Sequence, residues 1–158
     1  MKEIIKKADI LIEALPYIRS FKDKIFVVKI GGENIDDKTT FENFLNDVAF
    51  LNFVGIRVVL VHGGGQLISK KMRLCGITPK FVNGLRITCK DTIIIVEDAL
   101  YRLNQIMVKK LKQLGVKAIS FSGKTPNFTL SSSSASNPIC LLKISTPCGS
   151  PETIFNSI

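Results

Sequence analysis

Four short stretches carry the side chains able to do chemistry: Lys29-Ile30-Gly31-Gly32, His62-Gly63-Gly64-Gly65, Asn83-Gly84-Leu85-Arg86 and Ser122-Gly123-Lys124. Each pairs a fixed or potential cation with glycines that leave backbone N–H groups uncovered, the combination that binds carboxylates and phosphates. His62 is the only histidine, and its place at the end of an apolar run suits a structural role better than proton transfer. Two known anion fingerprints fail. Neither of the first two glycine turns supplies the G-x-G-x-x-G of a dinucleotide site. The stretch Ala118 to Thr125 approaches a P-loop, but Ala118 replaces its first glycine and Pro126 follows where a helix must begin.

The elements that hold these residues are legible in the apolar pattern. Ile25 to Ile30 and Val58 to His62 read as strands, with a helical pattern from about Thr40 to Phe53 between them. That is a βαβ unit, so both glycine turns open at the carboxyl ends of parallel strands, where α/β sheets bind ligands. A short helix follows Gly65 and stops at Gly76; its N-terminus favours an anion. Asn83-Gly84 between two apolar pairs predicts a hairpin over 80–87. Thr88 to Asp91 resembles a capping box opening a long helix that runs to Gly115, and Lys117 to Phe121 reads as a third strand. Ahead of all this, residues 3–15 have helical spacing, and Pro16 is expected to end or kink that helix. The fold class expected is α/β, a three-layer α-β-α arrangement on a mostly parallel open sheet.

The chain has 158 residues, enough for a domain with a real core, and a formal net charge of +9. Residues 1–125 hold 21 of the 22 basic and 12 of the 13 acidic side chains, so the remainder is nearly neutral. Lysines such as Lys70, Lys71, Lys109, Lys110 and Lys112 lie scattered on helix faces without interleaved aromatics, which argues for solvated faces and anionic metabolites rather than nucleic acid. Cysteines at 75, 89, 140 and 148 lack metal or redox spacing and read as reduced thiols, so no metal site is expected. No apolar run reaches the roughly 20 residues a membrane span needs, and the N-terminus lacks a signal-peptide core. A cytoplasmic protein, or one of an organelle stroma, is expected. From Pro126 the composition turns to proline and serine, with a run from Ser131 to Ser136. Residues 126–158 are expected to be a low-complexity tail without regular structure.

Taken in order and spacing, the Lys29-x-Gly31-Gly32, His62-Gly63-Gly64-Gly65, Asn83-Gly84-Leu85-Arg86 and Ser122-Gly123-Lys124 blocks resemble the N-terminal half of the acetylglutamate kinases, in the amino acid kinase family. The resemblance runs from about Glu13 to Lys124. It implies an N-terminal half that binds N-acetyl-L-glutamate and a C-terminal half that binds ATP with Mg2+. It further implies that Gly64 and Gly65 meet the substrate through backbone N–H groups and that Arg86 holds a substrate carboxylate. Lys29 would stabilise the phosphoryl group in flight, with Gly31, Gly32 and Lys124 on the nucleotide side. The physical requirement agrees: phosphoryl transfer is mostly positioning and electrostatics, and a carboxylate nucleophile is already ionised near pH 7.

The domain organisation that follows is an N-terminal helical extension over 1–20, a substrate-binding half over 21–125, and a non-homologous tail over 126–158. The family's second half has no matching positions, so the expectation is a truncated form that turns over no ATP by itself. The N-terminal helix resembles the element through which some members form hexamers, so a dimer or hexamer is a further expectation. Two other readings stay open: the kinase-like regulatory domain of an acetylglutamate synthase, and a non-catalytic fragment.

Overall fold

A computed structural model of the chain describes residues 2–122 and 139–143. The chain begins with α1 (Lys2–Phe21), then β1 (Ile25–Ile30), a short α2 (Gly32–Asp36), α3 (Lys38–Phe53) and β2 (Arg57–His62). It continues with α4 (Gly65–Leu74), the strands β3 (Phe81–Val82) and β4 (Leu85–Arg86), α5 (Lys90–Gln113), β5 (Ala118–Ser122) and β6 (Ile139–Lys143). Four strands form one sheet in the order β1-β2-β6-β5, every neighbouring pair parallel, and β3-β4 is a separate antiparallel pair. The protein is therefore α/β with a parallel sheet.

Burial follows the two periodicities. On α3 the buried positions are Phe41, Leu45, Val48 and Ala49, the i, i+4, i+7, i+8 stripe of a core-facing helix. On α5 the stripe runs through Val96, Ala99, Leu100, Leu103, Met107, Val108 and Leu111, leaving Ile94 and Ile106 exposed. These helices cover the sheet face that carries Ile30, Val58, Leu60, Ala118, Ile139 and Leu141. Asn104, buried on α5, donates from Nδ2 to the Leu141 carbonyl at 3.4 Å, and Lys110 on α5 pairs with Glu42 on α3 at 2.7 Å. The Lys110 ammonium holds the Glu42 carboxyl below its ordinary value. On the other sheet face Val59 and Cys140 are buried, but Ile25, Val27 and Ile119 stay exposed. Burial pushes the Cys140 thiol up.

Three expectations are corrected. The tail after residue 126 was expected to lack regular structure, yet residues 139–143 form β6 in the middle of the sheet, with Ile139 N–H bonded to the Lys117 carbonyl at 2.7 Å. An interior strand of a parallel sheet is buried on both faces, and Ile139-Cys140-Leu141 is such an unbroken apolar run. The other residues of 126–158 lie outside the described ones. Second, Pro16 neither ends nor divides α1, which runs on to Phe21. The helix is almost wholly exposed, so water can satisfy the carbonyl that the missing proline N–H leaves open. Third, the N-cap of α5 is Cys89 and not Thr88, so the capping box over 88–91 does not form. The Thr92 hydroxyl turns back to the Cys89 carbonyl at 2.9 Å instead.

Candidate functional site

The four strands end level. Ile30 stands opposite His62, His62 opposite Lys143 and Lys143 opposite Ser122, so both glycine turns leave one carboxyl edge. His62 is fully buried there, at the end of β2. Gly64 is the N-cap of α4 and Gly65 its first residue. A Cβ on Gly64 would lie 2.9 Å from Leu100 Cδ2, so any larger residue there would have to displace this buried side chain of α5. Gly63 and Gly65 have no such neighbour and are open. The Ile68 N–H bonds back to the Gly64 carbonyl at 2.7 Å. The N–H groups ahead of it, from Gly65 to Leu67, have no acceptor within the helix. With ten residues, α4 is long enough for its dipole to favour an anion at that point.

Arg86 arrives from a distant part of the chain. Asn83 (φ 49°) and Gly84 (φ 77°) both take the left-handed conformation that a tight two-residue hairpin turn requires. The ladder continues outward through Ile87 N–H to the Lys80 carbonyl at 2.9 Å. This hairpin lays the Arg86 guanidinium 4.7 Å above the Phe81 ring and against the start of α4. Nη2 donates to the Gly65 carbonyl at 2.9 Å and to Ser69 Oγ at 2.7 Å, while Nη1 reaches Met72 Sδ at 3.2 Å. Burial, and to a lesser extent the nearby Arg73, push the guanidinium pKa down, although arginine stays charged at any physiological pH. The two blocks that are 21 residues apart in sequence are thus joined by direct contact.

The Gly31-Gly32 turn lies beside this one. A Cβ on Gly32 would sit 3.8 Å from both the Gly65 and the Gln66 nitrogens, and one on Gly31 would meet nothing within 4 Å. The five-residue α2 that follows is too short to act as an anion-binding helix terminus, and it buries none of its side chains. Lys29 is exposed and no ion pair holds it among the described residues. It alternates with Ile30, so it projects from the sheet face opposite the one packed by α3 and α5. Lys124 and Gly123 lie outside the described residues.

Ser69, Met72 and Phe81 form the seat of Arg86, and sequence reasoning did not single them out. Ser69 follows Gly65 by one helical turn, a spacing that places both on one face of α4. Nearby, Lys71 of α4 pairs with Asp98 of α5, which also receives Arg102 Nε at 3.0 Å. Chemically, the edge sets helix N–H groups without an acceptor in the helix beside one oriented guanidinium, a combination that suits an anion. Among the described residues no group of three or more His, Cys, Asp or Glu could hold a metal ion. No described helix is long and apolar enough to cross a membrane.

Residues 24–136 match the model of the family described as "Amino acid kinase family". The chain is 46% identical over 131 residues to an acetylglutamate kinase of Methanocaldococcus jannaschii, covering 82% of this chain and 44% of that protein. It is 45% identical over 123 residues to an acetylglutamate kinase of Campylobacter hominis, covering 77% and 44%. The chain therefore spans less than half the length of these curated relatives. Among solved structures, smu.665 from Streptococcus mutans superposes with a TM-score of 0.55 at 35% identity, covering 63% of this chain and 40% of that one. N-acetylglutamate synthase from Neisseria gonorrhoeae superposes with a TM-score of 0.64 over 84% of this chain and 36% of that one; at 20% identity the likeness is one of fold.

Proposed function

Because the chain belongs to the amino acid kinase family across residues 24–136, we propose that its glycine-edged site binds N-acetyl-L-glutamate as the acceptor half of an acetylglutamate kinase. The reaction would be ATP-dependent phosphorylation of the side-chain carboxylate, a step of arginine biosynthesis. The observation that carries the reading is the contact of Arg86 with the Gly65 carbonyl at the start of α4. It sets a guanidinium and unpaired N–H groups around one point, which suits a substrate with two carboxylates.

In this reading the N–H groups of Gly64 and Gly65 receive one end of the substrate and Arg86 neutralises a carboxylate. The side-chain carboxylate is ionised near neutral pH, so the chain needs no general base. Lys29, exposed at the neighbouring strand end, brings positive charge to the side of the edge where a phosphoryl group would arrive, with Gly31 and Gly32 leaving the backbone bare beneath it. ATP with Mg2+ would supply that group. The described residues fit only the phosphate-facing margin of such a donor: an open glycine turn and one lysine, with no cluster of carboxylates for the ion. Lys124 is assigned to the same margin on the family resemblance. Assembly through α1 as a dimer or hexamer, and a cytoplasmic or stromal setting, belong to the same proposal.

Calorimetric titration of N-acetyl-L-glutamate into the chain and into Arg86→Ala tests it. Saturable binding by the chain is expected, weakened at least about tenfold in the variant, the equivalent of about 1.4 kcal/mol. Equal binding by both, or none by either, would remove the assignment.

A further inference from the structure

We infer that Ser69 is a positioning residue that fixes the orientation of the Arg86 guanidinium at the mouth of the glycine turn; its consequence for substrate rests on the acetylglutamate reading above. Ser69 lies on α4 and is only 8% exposed. Its Oγ donates to the Gly65 carbonyl at 2.9 Å and accepts from Arg86 Nη2 at 2.7 Å. The same Nη2 donates to the same Gly65 carbonyl at 2.9 Å. Serine, arginine and the turn carbonyl therefore close a triangle.

The polarity of that triangle is forced. A hydroxyl has one hydrogen to give and two lone pairs. Its hydrogen is committed to the Gly65 carbonyl, one helical turn back, so its lone pairs face outward toward a group that can only donate. Guanidinium is such a group, with five N–H donors and no acceptor. Three of those donors are accounted for by Gly65, Ser69 and Met72, and the Phe81 ring supports the guanidinium plane. Among the described residues the N–H of Nε and one on Nη1 have no acceptor, and the direction in which they point depends on the three that are held. The Met72 sulfur is a weak acceptor and the Phe81 ring restrains tilt more than rotation in the plane. Ser69 adds the second strong acceptor beside the Gly65 carbonyl, so both hydrogens of Nη2 are held in fixed directions.

An ordinary serine back-bonded within a helix would make the first contact and not the second. The difference can be measured. Arg86 in the full chain is followed by nitrogen-15 and carbon-13 NMR, which reads rotation of the guanidinium about its Cζ–Nε bond without any ligand. Slow rotation is expected in the unmodified chain, several-fold faster rotation in Ser69→Ala, and slow rotation again in Ser69→Thr, which keeps the hydroxyl. Unchanged rotation in Ser69→Ala overturns the inference.

Calorimetry with N-acetyl-L-glutamate adds the functional arm. Ser69→Ala is expected to weaken binding by about tenfold, the scale of one hydrogen bond to a charged group, and to have no further effect when Arg86 is already alanine. Additive losses in the double variant overturn the coupling of the two residues. Should the unmodified chain not bind acetylglutamate at all, the functional reading falls, and the NMR arm alone decides the role of Ser69.

Discussion

The two glycine turns share one edge of the sheet but not one construction. The Gly63-Gly64-Gly65 turn is fastened on several sides: Leu100 presses on Gly64, α4 grows out of Gly65, and Arg86 grips the Gly65 carbonyl. The Gly31-Gly32 turn has only its neighbour for company, opens a helix of five residues, and leaves space over Gly31. A turn that must hold one small acid in one orientation gains from being rigid before the ligand comes. A turn that faces a group shared with a larger donor gains from room. The contrast also separates two uses of glycine: at Gly64 the missing side chain serves packing, and at Gly31 it leaves the backbone uncovered.

This contrast can be broken by substitution. Leu100→Ala should have the largest effect on stability, about 2–5 kcal/mol for a buried leucine, read as a fall in the denaturant midpoint. Gly64→Ala follows at about 1–3 kcal/mol, the usual range for overpacking. Combining the two should cost less than their sum, because the first removes the methyl that the second collides with. Strict additivity would show that Leu100 does not set the requirement for glycine. Gly31→Ala should then change stability by no more than about 0.5 kcal/mol, since its backbone (φ −80°, ψ 163°) is open to any residue and the space is empty. A loss there equal to that of Gly64→Ala would erase the contrast.

The proposed function divides along the same line. Lys29→Ala should leave affinity for N-acetyl-L-glutamate within about twofold while Arg86→Ala loses at least about tenfold; similar losses from both would merge the two turns into one subsite. The smallest effect concerns acid. The Thr40 hydrogen bonds lower the Asp37 carboxyl at the N-cap of α3, just after the open turn. A carboxyl depressed in the folded state stabilises above its unfolded pKa, and that contribution fades as pH falls through the lower folded value. Asp37→Ala should therefore lower the melting temperature near neutral pH, with the gap to the unmodified chain narrowing below about pH 4. A gap that stays constant down to acid would place the effect elsewhere than in the charge.

How much of this could be read from the residues depends on what made each element recognisable. β1, β2 and β5 announce themselves as apolar runs ending in glycine or serine turns, and the hairpin by Asn83-Gly84. β6 is equally apolar, but it stands among serines and prolines, and composition averaged over a window hides a five-residue strand. α2 is a single turn with no stripe to detect. Pro16 carries the signal of a helix end or kink, because its ring and missing N–H disturb a helix interior, yet in the exposed α1 the helix runs on past it. At the site, Arg86 was legible through the block it belongs to. Ser69 was not, since a serine in a helix carries no signal until the partner 17 residues away is known to fold against it.

The position of β6 has a consequence for the order in which the molecule can be assembled. β2 and β5 do not pair with each other; each pairs with β6, the last described strand to be synthesised. Until residue 143 has left the ribosome, the β1-β2 pair has an open edge and β5 has no partner among the described strands. At about 5–20 residues per second, the 21 residues from Ser122 to Lys143 take roughly one to four seconds to add. During that interval the nascent chain presents bare strand edges, the feature that recruits unwanted pairing. A keystone delivered last makes this sheet dependent on what shelters it while it waits.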